Sequence, residues 1–201
     1  FAEATRMVWT IRSLRRIFTA LPFLAASLVG FAALASLQYA ETFGLSEVER
    51  ARAGIPVQLV ELIGVAIGAT LTTRALSRGP AQIFRVLAYA SALASLLSAG
   101  FAWAPNIVVA VIINGLIAGS LVIVGPGVLA SLSLAIPPRA RSMGFSVGAL
   151  WVLPGLLVIP FVGWIGDTFG FRWGMTMLTP VFLIGGLLIA SVGSVIDDDI
   201  A

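Results

Sequence analysis

Glu61 is the one acidic side chain set well inside an apolar stretch of this sequence, and chemistry is assigned to it first. A carboxylate in such surroundings can carry a proton, pair with a cation or touch a solute, because burial penalises its charged form. Gln58 precedes it by three residues, while Gly64 and Gly68 follow by three and seven, so polar and small residues share one helical face. Gln38 and Asn114 are further amides in apolar stretches. Each is expected to face protein or a water-filled cavity, since an amide facing hydrocarbon is left unpaired. Bonding between helices and contact with a solute both suit them. Gly144-Phe145-Ser146-Val147-Gly148 matches the G-x-S-x-G nucleophile elbow. That chemistry needs a base beside the serine, and the chain has no His. The elbow also needs a preceding strand, where this sequence has a basic loop. No catalytic residue is assigned, and no enzyme is expected.

Composition narrows the remaining chemistry. There is no Cys, no His and no Lys, and all 12 cations are Arg. This excludes a thiol nucleophile, a zinc site of the usual nitrogen and sulfur type, a Schiff base and a phosphate-loop lysine. No metal site and no cofactor are expected. Of 201 residues, 59% are hydrophobic and 10% charged, whereas a soluble domain is about 25% charged. Mean hydropathy is +1.06. The net charge is only +3 and the arginines cluster at the ends of apolar stretches, so their role is membrane topology and no nucleic-acid partner is expected.

The elements that must position Glu61 are therefore membrane helices, and the class is all-α. Six apolar stretches have the length of about twenty residues that crosses a bilayer: 19–39, 55–72, 86–103, 107–134, 142–164 and 173–195. Before them, 1–18 reads as an amphipathic interfacial segment, with Met7, Val8, Ile11, Leu14 and Phe18 at helical spacing and Arg12, Arg15 and Arg16 turned elsewhere. After them, 196–201 is an acidic tail, giving three units: interfacial segment, six-span domain and tail. In the third span Ser91, Ser95 and Ser98 form a small-residue packing stripe. The short turn Trp103-Ala104-Pro105-Asn106 makes the third and fourth spans antiparallel neighbours. A straight fourth span would reach about 42 Å, beyond a hydrocarbon core of about 30 Å, which predicts a kink at Pro126 or a protruding end. Pro154 and Pro160 predict a bent, cavity-lining fifth span.

Charge sets the expected topology. Arg6, Arg12, Arg15, Arg16, Arg74, Arg78, Arg85, Arg139 and Arg141 alternate loop by loop with Arg50, Arg52 and Arg172. This favours an even number of spans with both termini cytoplasmic. Tyr39, Trp103, Trp164 and Trp173 then form an aromatic belt at the outer ends.

The run Gly163-Trp164-Ile165-Gly166-Asp167-Thr168-Phe169-Gly170-Phe171-Arg172-Trp173, after a basic loop and a Gly/Pro-rich span, resembles the G-x-x-x-D-x-x-G-x-R-W turn of the major facilitator superfamily. In that family it joins the fifth and sixth helices of each six-helix half. Between the second and third spans, Leu71, Arg74 and Arg78 match the Leu, the first Arg and the last Arg of the family's G-x-L-x-D-R-x-G-R-R signature. Ala69, Thr73, Leu76 and Ser77 replace its first Gly, its Asp, its second Gly and its middle Arg, which weakens a gating role for this loop. Asp167 and Arg172 stand where they can pair across their turn, a turn-stabilising role in preference to gating.

The resemblance implies half of such a transporter, its six helices forming a 3+3 inverted repeat. The charged segment before the first span resembles the connection between halves, so this reads as the second half of a longer chain. By the resemblance, the first, second, fourth and fifth spans border a central cavity. Glu61, Gln58, Gln38 and Asn114 are then candidates for solute or proton contact, and Arg74, Arg78, Asp167 and Arg172 for gating or turn roles. Partners implied are the lipid bilayer, a second six-helix half and a small solute whose identity stays open. The expected place is a bacterial plasma (inner) membrane, with transport by symport or antiport. Two rivals stand beside this: a permease portion with an ATP-binding cassette domain beyond the C-terminus, and a non-transporting scaffold subunit.

Overall fold

The structure is a computed structural model and describes residues 10–136 and 141–200. Arg6, Met7 and Val8 of the amphipathic segment, and Arg139 with the prolines beside it, lie outside the described residues. Six helices are long and apolar enough to cross a membrane: α1 (Arg12–Phe43), α2 (Glu47–Leu76), α3 (Pro80–Ala102), α4 (Ile107–Ala135), α5 (Arg141–Phe169) and α6 (Phe171–Val192). A short α7 (Ile196–Ile200) follows. The chain is an all-helical, multi-pass membrane protein.

Caps and prolines shape these helices. Ser46 and Glu49 form a reciprocal capping box at the start of α2. Asn106 Oδ1 accepts from the Val109 N–H at 3.0 Å and starts α4. Gly170, at φ 98°, makes the turn between α5 and α6. A π-helical segment, Ala26–Gly30, follows Pro22 within α1, as expected where a missing N–H disturbs the bonding ladder. The α-helical run is interrupted at Leu157 and Met177, each three residues before a proline, Pro160 and Pro180. At both, an N–H bonds to the third carbonyl back, Pro154 and Gly174. By contrast α4 passes Pro126 without a break, so its length is carried by one continuous helix.

Each helix has definite neighbours. α2 packs on α4, α4 on α3, α3 on α6, α6 on α1, and α1 on α5. Exchanging α1 with α4, α2 with α5 and α3 with α6 leaves this set unchanged, the arrangement that a 3+3 repeat requires. The expected α3–α4 adjacency and the serine stripe are both present. Ser95 Oγ donates to the Thr179 carbonyl at 2.8 Å, and Gly186 of α6 lies against Ser91. Two apolar clusters fill the bundle. One centres on Phe18, Phe84, Leu87 and Ile189, the other on Phe31, Phe101, Leu178 and Phe182. In the second, Phe31 meets Phe101 and Phe182 edge-on, with centroids at 5.4 and 6.0 Å.

From Arg12 onward the expected interfacial segment is continuous with the first span, and Leu14, Ile17 and Phe18 are buried in the bundle. This end of α1 is joined to the far end of α6. Arg16 Nη1 donates to the Ser191 carbonyl and, at 2.8 Å, to Ser194 Oγ, while the Ser13 N–H donates to Asp199 Oδ2 at 2.6 Å. A cation thus meets a helix C-terminus and an anion a helix N-terminus, both favourable to the helix dipoles. Asp199→Ala is expected to cost about 1 kcal/mol, or about 2–4 °C in Tm for a chain of this size. Thermal unfolding in detergent checks this, and an unchanged Tm would rule the cap out.

Candidate functional site

The site is a cavity of about 510 Å³ bordered by α1, α2 and α4. Its α2 wall is one helical face: Arg50, Gly54, Val57, Gln58 and Glu61. From α1 come Phe31, Ala35, Ser36 and Tyr39, and from α4 Asn114, Ala118, Leu121 and Val122. A second, apolar cavity of about 360 Å³ lies between α1, α4 and α5, lined by Leu24, Leu28, Val128, Phe145 and Val152 among others. Both are bordered by helices of the set α1, α2, α4 and α5, while a further apolar cavity of about 490 Å³ lies between α2, α3 and α4.

α2 and α4, two of the cavity's walls, pack closely on each other beyond it. A Cβ on Gly64 would lie 2.6 Å from the Gly119 Cα and carbonyl oxygen, so only glycine permits this approach. One turn on, Gly68 lies against Ile123, and Gly115 lies against Val60. These contacts hold Glu61, one turn before Gly64, at the middle of α2. Glu61 is half-buried on the cavity wall, and no described residue makes a hydrogen bond or ion pair with it.

The sequence-derived candidates divide. Glu61, Gln58 and Asn114 come together on the cavity wall. Asn114 Nδ2 donates to the Tyr39 hydroxyl at 3.0 Å. Gln38 does not join them: it is 0% exposed, and its Nε2 donates to the Ala102 carbonyl at 3.3 Å. It ties α1 to α3, the bonding between helices that was one of its two readings. Arg74 and Arg78 are exposed at the far end of α2, away from the cavity. Asp167 and Arg172 do not pair among the described residues. The Arg172 guanidinium lies instead over the Trp103 ring, 5.8 Å from its centroid, and Trp103 Nε1 donates to Thr176 Oγ1 at 3.1 Å. The reason is an aromatic neighbour supplied by α3, with Trp103 edge-on to Trp173 at 5.3 Å.

Two residues were misplaced by sequence reasoning. Tyr39, expected in an aromatic belt, is 4% exposed and packs edge-on against Phe101 at 5.7 Å. Arg50, expected in a loop of 41–54, stands in the first turns of α2 and lines the cavity. Its signal was available, because Ser46-Glu47-Val48-Glu49 has the S-x-x-E spacing of a capping box ahead of an apolar run. Ser146 lies within α5, where its hydroxyl donates to the Ser142 carbonyl at 3.0 Å.

Sequence comparison matches the chain to no protein-family model and to no curated protein. Structure comparison does find a match, a bacterial homologue of the human lysosomal transporter Spinster, in an inward-facing and unoccupied conformation. The TM-score is 0.76 at 16% sequence identity, over 99% of this chain and 51% of that one. The chain thus spans about half the length of the solved protein it resembles. Six spans, their order around the bundle and this likeness give the chain the fold of one six-helix half of a major-facilitator-like protein.

Proposed function

We propose that this chain is one half of a secondary transporter that moves a small solute by alternating access, its cavity between α1, α2 and α4 being this half's share of the solute site. The observation that carries the reading is that Glu61 and Gln58 of α2 and Asn114 of α4 line one cavity, bordered by α1, α2 and α4. A second six-helix half would close over the α1, α2, α4 and α5 side, and rocking of the two halves would expose the site to each membrane face in turn. Glu61 supplies a carboxylate for proton coupling, by symport or antiport. The charge pattern supports cytoplasmic termini in a cell membrane.

The chain has no cysteine, so Ala118→Cys in the full-length protein, with any cysteine outside this chain replaced by serine, gives a single reporter on the cavity wall. In oriented vesicles a membrane-impermeant maleimide is expected to reach it from both faces, in proportions that a pH gradient shifts. Labelling from neither face would favour a dry scaffold. Labelling that responds to ATP and not to the gradient would favour the ATP-binding cassette arrangement.

A further inference from the structure

We infer that Arg50 is an anion-recognising residue of this cavity, and that the solute carries a carboxylate, sulfonate or phosphate group; this rests on the transport reading above. Arg50 stands on the cavity face of α2, where Nη1 donates to Ser36 Oγ at 3.0 Å. Its Nε is enclosed and has no acceptor among the described residues. A serine hydroxyl satisfies one donor of five and cancels none of the charge.

No carboxylate among the described residues forms an ion pair with Arg50. Glu49, next to it in sequence, is held in the capping box, its Oε2 accepting from the Ser46 N–H at 2.9 Å and Ser46 Oγ at 2.7 Å. Glu61 is eleven residues further along the same helix, about 16 Å at the α-helical rise. The walls nearby, Phe31, Ala35 and Leu121 among them, are apolar and offer Arg50 no countercharge. The fold gains little from a cation here, since the N-terminal end of a helix favours anions.

The surrounding shape leaves the position open. Gly54, one turn on and on the same face, has no heavy atom within 4 Å of where a Cβ would stand. An arginine whose donors are not all taken can bind two oxygens of one carboxylate or phosphate.

The test is site-resolved phenylglyoxal labelling of Arg50 in the full-length protein, reconstituted in phosphatidylcholine vesicles and read by mass spectrometry. Benzoate, benzenesulfonate and phenyl phosphate are the soluble anionic probes, and benzyl alcohol is the neutral one. A protecting anion slows labelling by the factor 1 + [L]/Kd, about tenfold near ten times its Kd. Protection of Arg50 by at least one anion, with none by benzyl alcohol and no change at exposed Arg74, is the expected result. If only vesicles containing phosphatidylglycerol protect, the anion is a lipid headgroup and the recognition chemistry stands. Arg50 that labels freely with no protection from any anion overturns this inference and leaves the transport reading intact. Arg50 that never labels means a dry cavity, and both fall.

Discussion

Gly64→Leu is expected to prevent α2 from closing on α4, leaving a chain that inserts in the membrane without forming the compact bundle. Even the first added carbon would stand 2.6 Å from the Gly119 Cα and carbonyl oxygen, and backbone atoms cannot turn aside as a flexible side chain can. Overpacking costs about 1–3 kcal/mol where neighbours can shift, and more where backbone must move. α2 has little else to hold it, because only 6% of its most apolar window is buried. In lipid there is no hydrophobic force pressing helices together, so loss of close packing removes the main attraction. Gly54→Leu is the control: it adds the same side chain to the same helix at a place with nothing within 4 Å. Size-exclusion chromatography in detergent, with a disulfide engineered between α2 and α4, reads the difference. A monodisperse, fully cross-linked Gly64→Leu protein would contradict the packing described here.

Glu61→Gln is expected to abolish solute accumulation driven by a pH gradient while leaving the bundle assembled. The amide has nearly the shape of the carboxyl group and can fill the same space. It cannot take up and release a proton. No described residue bonds to Glu61, so the substitution breaks no interaction within the fold. Passive exchange of solute down its own gradient is expected to persist, which separates loss of coupling from loss of structure. Uptake that stays pH-dependent and unchanged in Glu61→Gln would remove the proton-carrying role.

How much could be read beforehand follows from which forces act locally. The six spans follow from apolar length, a property of each segment alone, and all six appear as membrane-length helices. Gln58 and Glu61 share a face because helical periodicity is local too. Tyr39 was misplaced, and the choice between the two readings of Gln38 stayed open, for the opposite reason. Their partners, Asn114 and the Ala102 carbonyl, are 75 and 64 residues away in sequence, and no spacing rule reaches that far. Arg50 was legible but outweighed: the charges of 47–52 read as a loop by hydropathy, whereas the capping box at Ser46 carries the helix up to them. Arg172 illustrates a choice between partners. An acid five residues back seemed sufficient, yet a Trp ring from another helix is where the guanidinium rests.

The central claim is that the side formed by α1, α2, α4 and α5 faces a second six-helix bundle across a shared cavity. Single-particle cryo-electron microscopy of the full-length protein in lipid nanodiscs tests it most directly. The expected map shows a second bundle over that side, with Arg50, Glu61 and Asn114 lining a chamber between the halves and α3 and α6 turned to lipid. A map in which α2 and α5 face lipid, with any partner seated on α3 and α6, would contradict it.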